Sequence, residues 1–233
     1  MTEENIVESI FGWVGAIISI YFYFAPGFPF YKALKDQMKY QDLPIILLLS
    51  SFINCILWAD YGLIKNSTQI YITNSLGGTI TLIWITIYLL YLGKKYFVIS
   101  LILNIFLLIA TGAISFLFYF IIDSNITGLI AMIFNVLMYA ALGEKIISVI
   151  KTKNYELIPI YSSIGGFLCS LCWLIFGFYQ NDKNIIIPNS LGILFSVIQI
   201  LIFIILYCKS HKNNNDKNPN SSIKNEEKDK NIN

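Results

Sequence analysis

Apolar residues in this chain gather into long blocks separated by short polar interruptions. Seven stretches, roughly 9–31, 43–64, 69–92, 97–122, 126–150, 158–180 and 184–208, are predominantly apolar throughout. A helix needs about 20 such residues to cross the hydrocarbon core of a bilayer, so the pattern predicts an all-α membrane protein with seven transmembrane helices. The connections are short and carry Lys, Asp, Asn and Gly, as expected at the water boundary. After Cys208 the composition changes to Asn, Lys, Asp and Ser. Residues 209–233 have too few apolar side chains to build a core and are expected to form a disordered cytosolic tail.

The lysines orient the spans. Lys32, Lys35 and Lys39 fall between spans one and two, Lys94 and Lys95 between three and four, and Lys145, Lys151 and Lys153 at the end of span five and beyond. The alternate connections hold only Lys65 and Lys183. Positive charge is retained on the cytosolic side, which predicts the N-terminus outside and the C-terminus in the cytosol. Glu3, Glu4 and Glu8 precede the first apolar segment, a poor fit to a cleaved signal peptide.

The pattern also repeats. ITNSLGG at Ile72–Gly78 returns as IPNSLGI at Ile187–Ile193, so Asn74, Ser75, Leu76 and Gly77 recur 115 positions later as Asn189, Ser190, Leu191 and Gly192. At the same offset Pro44 meets Pro159, Phe52 meets Phe167, Trp58 meets Trp173, Gly62 meets Gly177 and Asn66 meets Asn181. Matched Ile and Leu are expected by chance; matched Trp and Pro are not, in a chain with four Trp and six Pro. The chain is a duplicated unit: a first three-helix repeat over 9–92, a linker helix over 97–122, and a second repeat over 126–208. Moving four spans along the chain restores direction across the membrane, so the copies are parallel.

Composition narrows the function. Hydrophobic residues make up 56% and charged ones 13%, against about 25% charged in soluble domains, and mean hydropathy is +0.66. A net charge of +2 gives no reason to expect a nucleic-acid partner. The four Cys lie in or at the end of apolar runs without metal-ligand spacing, and His211 is the sole His, so neither a metal nor another cofactor is expected. Sequons at Asn66 and Asn125 fall in outer loops expected to be too short for use.

Polar groups inside spans usually face a bundle interior or a wet cavity. Asn54, Trp58 and Gly62 share one helical face, as do Cys169, Trp173 and Gly177; Asn74, Gly77 and Thr81 share another, matched by Asn189, Gly192 and Ser196. Counting ~1.5 Å per residue, Trp58 and Asn74 both lie ~8–9 Å in from the outer surface, and the repeat puts Trp173 and Asn189 at the same depth. Two carboxamides and two indoles are thus expected to face one another across the axis. Carboxamides offer donors and acceptors to hydroxyls, and indoles offer a flat apolar face and an N–H. Such a set suits a neutral polyol. The plainer reading is that the Asn pair bonds helix backbone and the Trp pair fills the core. Gly77, Gly78, Gly165 and Gly166 are expected to permit close packing. Pro26, Pro44 and Pro159 break or open helices, although Pro44 and Pro159 also suit a first helical turn. Asp60 and Glu144 sit near span ends, where water can reach them. Lys65 and Asp182 are expected to pair across the outer mouth, for only about 0–1 kcal/mol.

Together FAPGFPFYK, LWADYGLIKN with ITNSLG, FNVLMYAALGEKIISVIKTKNYELIP, and CWLIFGFYQND with IPNSLG resemble the SWEET (MtN3/saliva) sugar transporters over essentially all seven spans. These transporters are themselves a standing example of parallel repeats about an axis along the membrane normal. The resemblance implies a 3+1+3 arrangement moving mono- or disaccharides down their gradient by rocking two triple-helix bundles, without ion coupling. It places substrate contacts on Asn74, Asn189, Trp58 and Trp173, with further pocket positions at Asn54, Cys169, Ser19, Phe22, Asn135 and Met138. Bulky Phe22 and Met138 suggest a small pocket and a monosaccharide. The outer-gate tyrosine and aspartate fall on Tyr61 and Asp182. Hinge prolines fall on Pro26, Pro44 and Pro159; the fourth is replaced by Leu142.

The resulting expectation is a passive hexose uniporter in the plasma membrane, with an intracellular membrane as the alternative location. Its partners are a sugar and the lipid bilayer, and a homo-oligomer is left open. A proton-coupled PQ-loop transporter for amino acids would carry Pro-Gln where this chain has Pro44-Ile45 and Pro159-Ile160. A seven-helix receptor has no reason to repeat its helices at a fixed offset. An enzyme would need a nucleophile–base pair, a metal set or facing acids, and no HExxH or GxSxG occurs.

Overall fold

A computed structural model of the chain describes residues 3–35, 43, 45–93, 97–155, 158 and 160–217. Its described elements are helices: α1 (Glu3–Phe24), α2 (Gly27–Leu34), α3 (Ile45–Ile64), α4 (Thr68–Tyr91), α5 (Phe97–Phe120), α6 (Ser124–Thr152), α7 (Ile160–Tyr179) and α8 (Lys183–Lys217). The first expected span is therefore two helices in line, broken at Ala25-Pro26. Proline has no N–H to donate and its ring crowds the preceding turn. The Ala25 amide accordingly closes back onto the Phe22 carbonyl at 3.0 Å, and Phe30 N–H donates to Pro26 O at 3.2 Å beyond the break.

Trp84 of α4 holds that break in place. Its Nε1–H donates to the Tyr23 carbonyl at 3.0 Å, and its ring stacks on Phe30 with centroids 5.3 Å apart. In the second copy α6 runs unbroken through Leu142. Where the first copy has Trp84, the second has Gln199, whose Oε1 accepts from the Ser163 hydroxyl at 2.7 Å. The proline and its tryptophan are missing together.

At the other end of the spans the copies agree closely. α3 closes with Asn66 at φ +54° and α7 with Asn181 at φ +49°, a left-handed conformation that Asn tolerates better than most residues. Ser67 N–H bonds Gly62 O at 2.8 Å, and Asp182 N–H bonds Gly177 O at 2.9 Å. These two tight turns mark one end of the molecule, the turn end. α8 continues to Lys217, so residues 209–217, expected in a disordered tail, are helical. His211 and Lys212 followed by Asn213–Asn215 read as a helix end, but the helix runs past them.

Packing gives the 3+1+3 architecture. α4 lies between α1 and α3, and α8 lies between α6 and α7. The halves meet along two seams, α1 on α7 and α3 on α6. Gly12 and Gly15 let α1 close on α7: a Cβ at Gly12 would lie 2.8 Å from Phe176, and one at Gly15 3.2 Å from Trp173. Close contact of this kind holds helices together in lipid, where no hydrophobic force separates helix from solvent. α5 leans on α3 and α4, and none of its described side chains is buried. Among the described residues six segments are long and apolar enough to cross a membrane; α6 is 29 residues long, with a shorter apolar stretch over Ser124–Val136.

Candidate substrate site

Between the halves lies a cavity of about 150 Å³, roughly ten times the ~15 Å³ that one water requires. Each half contributes from equivalent places. From the first come Asn54 and Trp58 on α3, Ile70, Thr73 and Asn74 on α4, and Ser19 and Tyr23 on α1; from the second come Asn135 on α6, Trp173 on α7, and Ile185 and Asn189 on α8. Among the described residues no Asp, Glu, Lys or His lines it.

The two carboxamides are oriented identically by their own helices. Asn74 Nδ2 donates to Ile70 O and Asn189 Nδ2 to Ile185 O, each at 2.8 Å. That bond uses one N–H of each amide and leaves the second. The indoles are oriented by rings one turn nearer the turn end: Trp58 meets Tyr61 edge-on at 5.7 Å and Trp173 meets Phe176 edge-on at 5.5 Å.

Their N–H groups differ. Trp173 Nε1 donates to Ser19 Oγ at 3.0 Å, and Ser19 donates on to Gly15 O at 2.8 Å with Cys169 Sγ 3.3 Å away. Trp58 Nε1 and Asn54 Oδ1 are buried without a hydrogen-bond partner among the described residues. A buried polar atom left unpaired costs about 1–3 kcal/mol, so the α1–α7 side of the cavity is satisfied within the protein and the α3–α6 side is not.

Above the cavity, at the turn end, a cluster drawn from both halves closes the seam: Leu57, Trp58, Tyr61, Ile70, Ala131, Phe176 and Ile185. Tyr61 O–H donates to Asp182 Oδ2 at 2.5 Å and accepts from Asn184 Nδ2 at 3.3 Å. The expected Lys65–Asp182 pair is not formed; Asp182 takes the tyrosine hydroxyl and Lys65 Nζ stands over the Tyr61 ring at 5.8 Å. Glu8 and Gln180 join α1 to the α7 turn at the same end.

Of the residues expected in the pocket, Asn74, Asn189, Trp58, Trp173, Asn54, Ser19 and Asn135 line the cavity. Cys169 stands behind Ser19. Phe22 points away, into the space that Gly165 leaves on α7: a Cβ there would lie 2.8 Å from its ring. The side chains of Met138 and Leu142 lie outside the described residues, as do Pro44 and Pro159 altogether. Sequence reasoning passed over Tyr23, Thr73 and the pair Ile70/Ile185. The last is matched at the same 115-residue offset, and Tyr23 matches Tyr139 at the 116-residue offset that relates Ser19 to Asn135.

The MtN3/saliva family, described as a sugar efflux transporter for intercellular exchange, matches the chain twice, over residues 9–96 and 125–212. The bidirectional sugar transporter SWEET7b of Oryza sativa subsp. japonica is 30% identical over 223 residues, covering 89% of this chain and 81% of that protein. SWEET10 of Arabidopsis thaliana, also a bidirectional sugar transporter, is 32% identical over 211 residues, covering 87% and 72%. A eukaryotic SWEET transporter solved at 3.7 Å superposes with a TM-score of 0.79 at 21% identity, over 89% of this chain and 100% of that one.

Proposed function

The chain belongs to the MtN3/saliva family of sugar transporters, and on that footing we propose that it is a passive, bidirectional hexose uniporter of the plasma membrane. The observation that carries the reading is the neutral cavity between the halves, lined by an Asn and a Trp from each half and, among the described residues, by no carboxylate, lysine or histidine. A hydroxyl both donates and accepts, so one class of ligand answers both the unpaired Asn54 oxygen and the unpaired Trp58 N–H. The indole faces suit the C–H side of a pyranose. An ion finds no counter-charge there, and proton coupling finds no carboxylate or imidazole to carry the proton.

The lysine distribution supports an orientation with the turn end outside the cell. The Tyr61–Asp182 bond and the aromatic cluster beneath it then form the outer gate, between cavity and exterior. Transport follows as rocking of the two bundles along the α1–α7 and α3–α6 seams. The α3–α6 seam holds Tyr61 and Ala131 and must part at the turn end for sugar to enter. Nothing in this cycle consumes energy, so net flux follows the gradient.

Radiolabelled glucose uptake into liposomes holding the purified protein tests the reading, with and without a pH gradient, beside Asn74→Ala and Asn189→Ala. Equilibrating uptake indifferent to pH is expected. Each alanine removes up to two hydrogen bonds of about 0.5–1.5 kcal/mol, a loss of about tenfold or more in apparent affinity. Accumulation above equilibrium driven by the pH gradient would overturn passive transport. No uptake of glucose, fructose or galactose would overturn hexose as the cargo.

A further inference from the structure

We propose that Tyr23 is a substrate-contacting residue that sets which hydroxyl pattern the site accepts, an inference that rests on the sugar-carrier reading. Its ring lines the cavity, and its O–H donates to Asn74 Oδ1 at 3.4 Å. With Nδ2 on the Ile70 carbonyl, Asn74 is thereby held at both ends of its carboxamide. Asn189 is held only through Nδ2 among the described residues, so its oxygen remains an acceptor for a ligand hydroxyl. Having given its one proton to Asn74, the Tyr23 oxygen has two acceptor lone pairs, one beside the Cys55 thiol and the other left for a ligand hydroxyl. At the Asn74 level the cavity thus presents a phenolic acceptor beside an amide N–H donor, and at the Asn189 level an amide oxygen beside an amide N–H.

The tyrosine is held where it is from several sides, with the Cys55 thiol on its hydroxyl among them. Trp84 donates to its carbonyl at 3.0 Å, fixing the last turn of α1 before the Pro26 break. Gly77, on the Asn74 helix, admits the ring: a Cβ there would run into the Tyr23 ring carbons. The hydroxyl meets Asn74. A ring seated this firmly offers its oxygen to a ligand without having to be ordered on binding.

The test uses the full-length protein in liposomes. Tyr23→Phe keeps the ring and removes the oxygen. For glucose, apparent KM is expected to rise about three- to tenfold, the value of one hydrogen bond, with the maximal exchange rate unchanged. The second readout is the series of monodeoxyglucoses. In the unmodified protein the analogue lacking the hydroxyl that Tyr23 reads binds more weakly than glucose. In Tyr23→Phe that single discrimination disappears, while the others stay. A merely structural tyrosine would lower the melting temperature and leave the ranking of the analogues intact, and that result overturns the proposal. So does an unchanged KM. If the unmodified protein carries no sugar, the carrier reading fails first and this inference falls with it.

Discussion

Trp58 and Trp173 occupy equivalent places in the two halves, yet among the described residues only Trp173 of the two has a partner for its indole N–H, the Ser19 hydroxyl. Replacing each by Phe therefore has different consequences. Trp58→Phe removes a donor that the protein itself does not use, so apparent KM for sugar should rise about three- to tenfold with little change in melting temperature. Trp173→Phe removes an internal bond worth about 1 kcal/mol, so the melting temperature should fall by about 2–4 °C. Sugar affinity should move less than in Trp58→Phe. Uptake kinetics and a melting curve on the two variants check the contrast, and equal shifts in both quantities would contradict it. The lining Asn and Trp residues were legible in the sequence because polar residues at matched positions in apolar repeats are improbable by chance. The direction of Phe22 was not legible: it follows the space at Gly165 on another helix, which nothing in α1 announces. Tyr23 was legible in principle, through Tyr139, but only after the offset is moved from 115 to 116 for spans one and five.

At the level of helices, the break in span one could be read from Pro26, but what holds it could not. Trp84 lies 61 positions from the carbonyl it caps, and no periodicity connects a helix end to a side chain so far along the chain. Trp84→Phe keeps an aromatic ring against Phe30 and removes the donor to Tyr23 O. The stranded carbonyl should cost about 1–3 kcal/mol, read as a lower melting temperature. Because Tyr23 is then less firmly placed, apparent KM should rise as well. A variant that melts and transports like the parent would show that the break stands without its cap. The helix boundaries at the turn end were equally legible, since an Asn in each copy supplies the left-handed residue that ends α3 and α7. The far limit of α8 was not. Apolar content marks where a helix leaves the bilayer, and the Asn213–Asn215 run reads as a stop, yet α8 continues to Lys217.

Taken whole, the molecule is closed at the turn end by a cluster to which both halves contribute, and Tyr61 is bonded across it to Asp182 and Asn184, with the Glu8–Gln180 bond at the same end. Tyr61→Phe removes the Tyr61 bonds and leaves the rings. The population should shift toward states open at the turn end, by about 1.5–3 kcal/mol for a bond to a charged group. In a background with the native cysteines replaced, a cysteine at position 189 should then react with a membrane-impermeant thiol reagent added from that side about ten times faster or more. An unchanged rate would locate the seal elsewhere. The unequal hydrogen bonding of the two sides of the cavity has one further consequence. A hexose has no two-fold symmetry. A site built from two identical copies would receive it in two poses related by half a turn, equal in energy and together worth only about 0.4 kcal/mol of mixing entropy. In this chain Ser19 satisfies Trp173, whereas Trp58 and Asn54 remain unpaired. The two poses are no longer degenerate, and the carrier can tell one end of its sugar from the other.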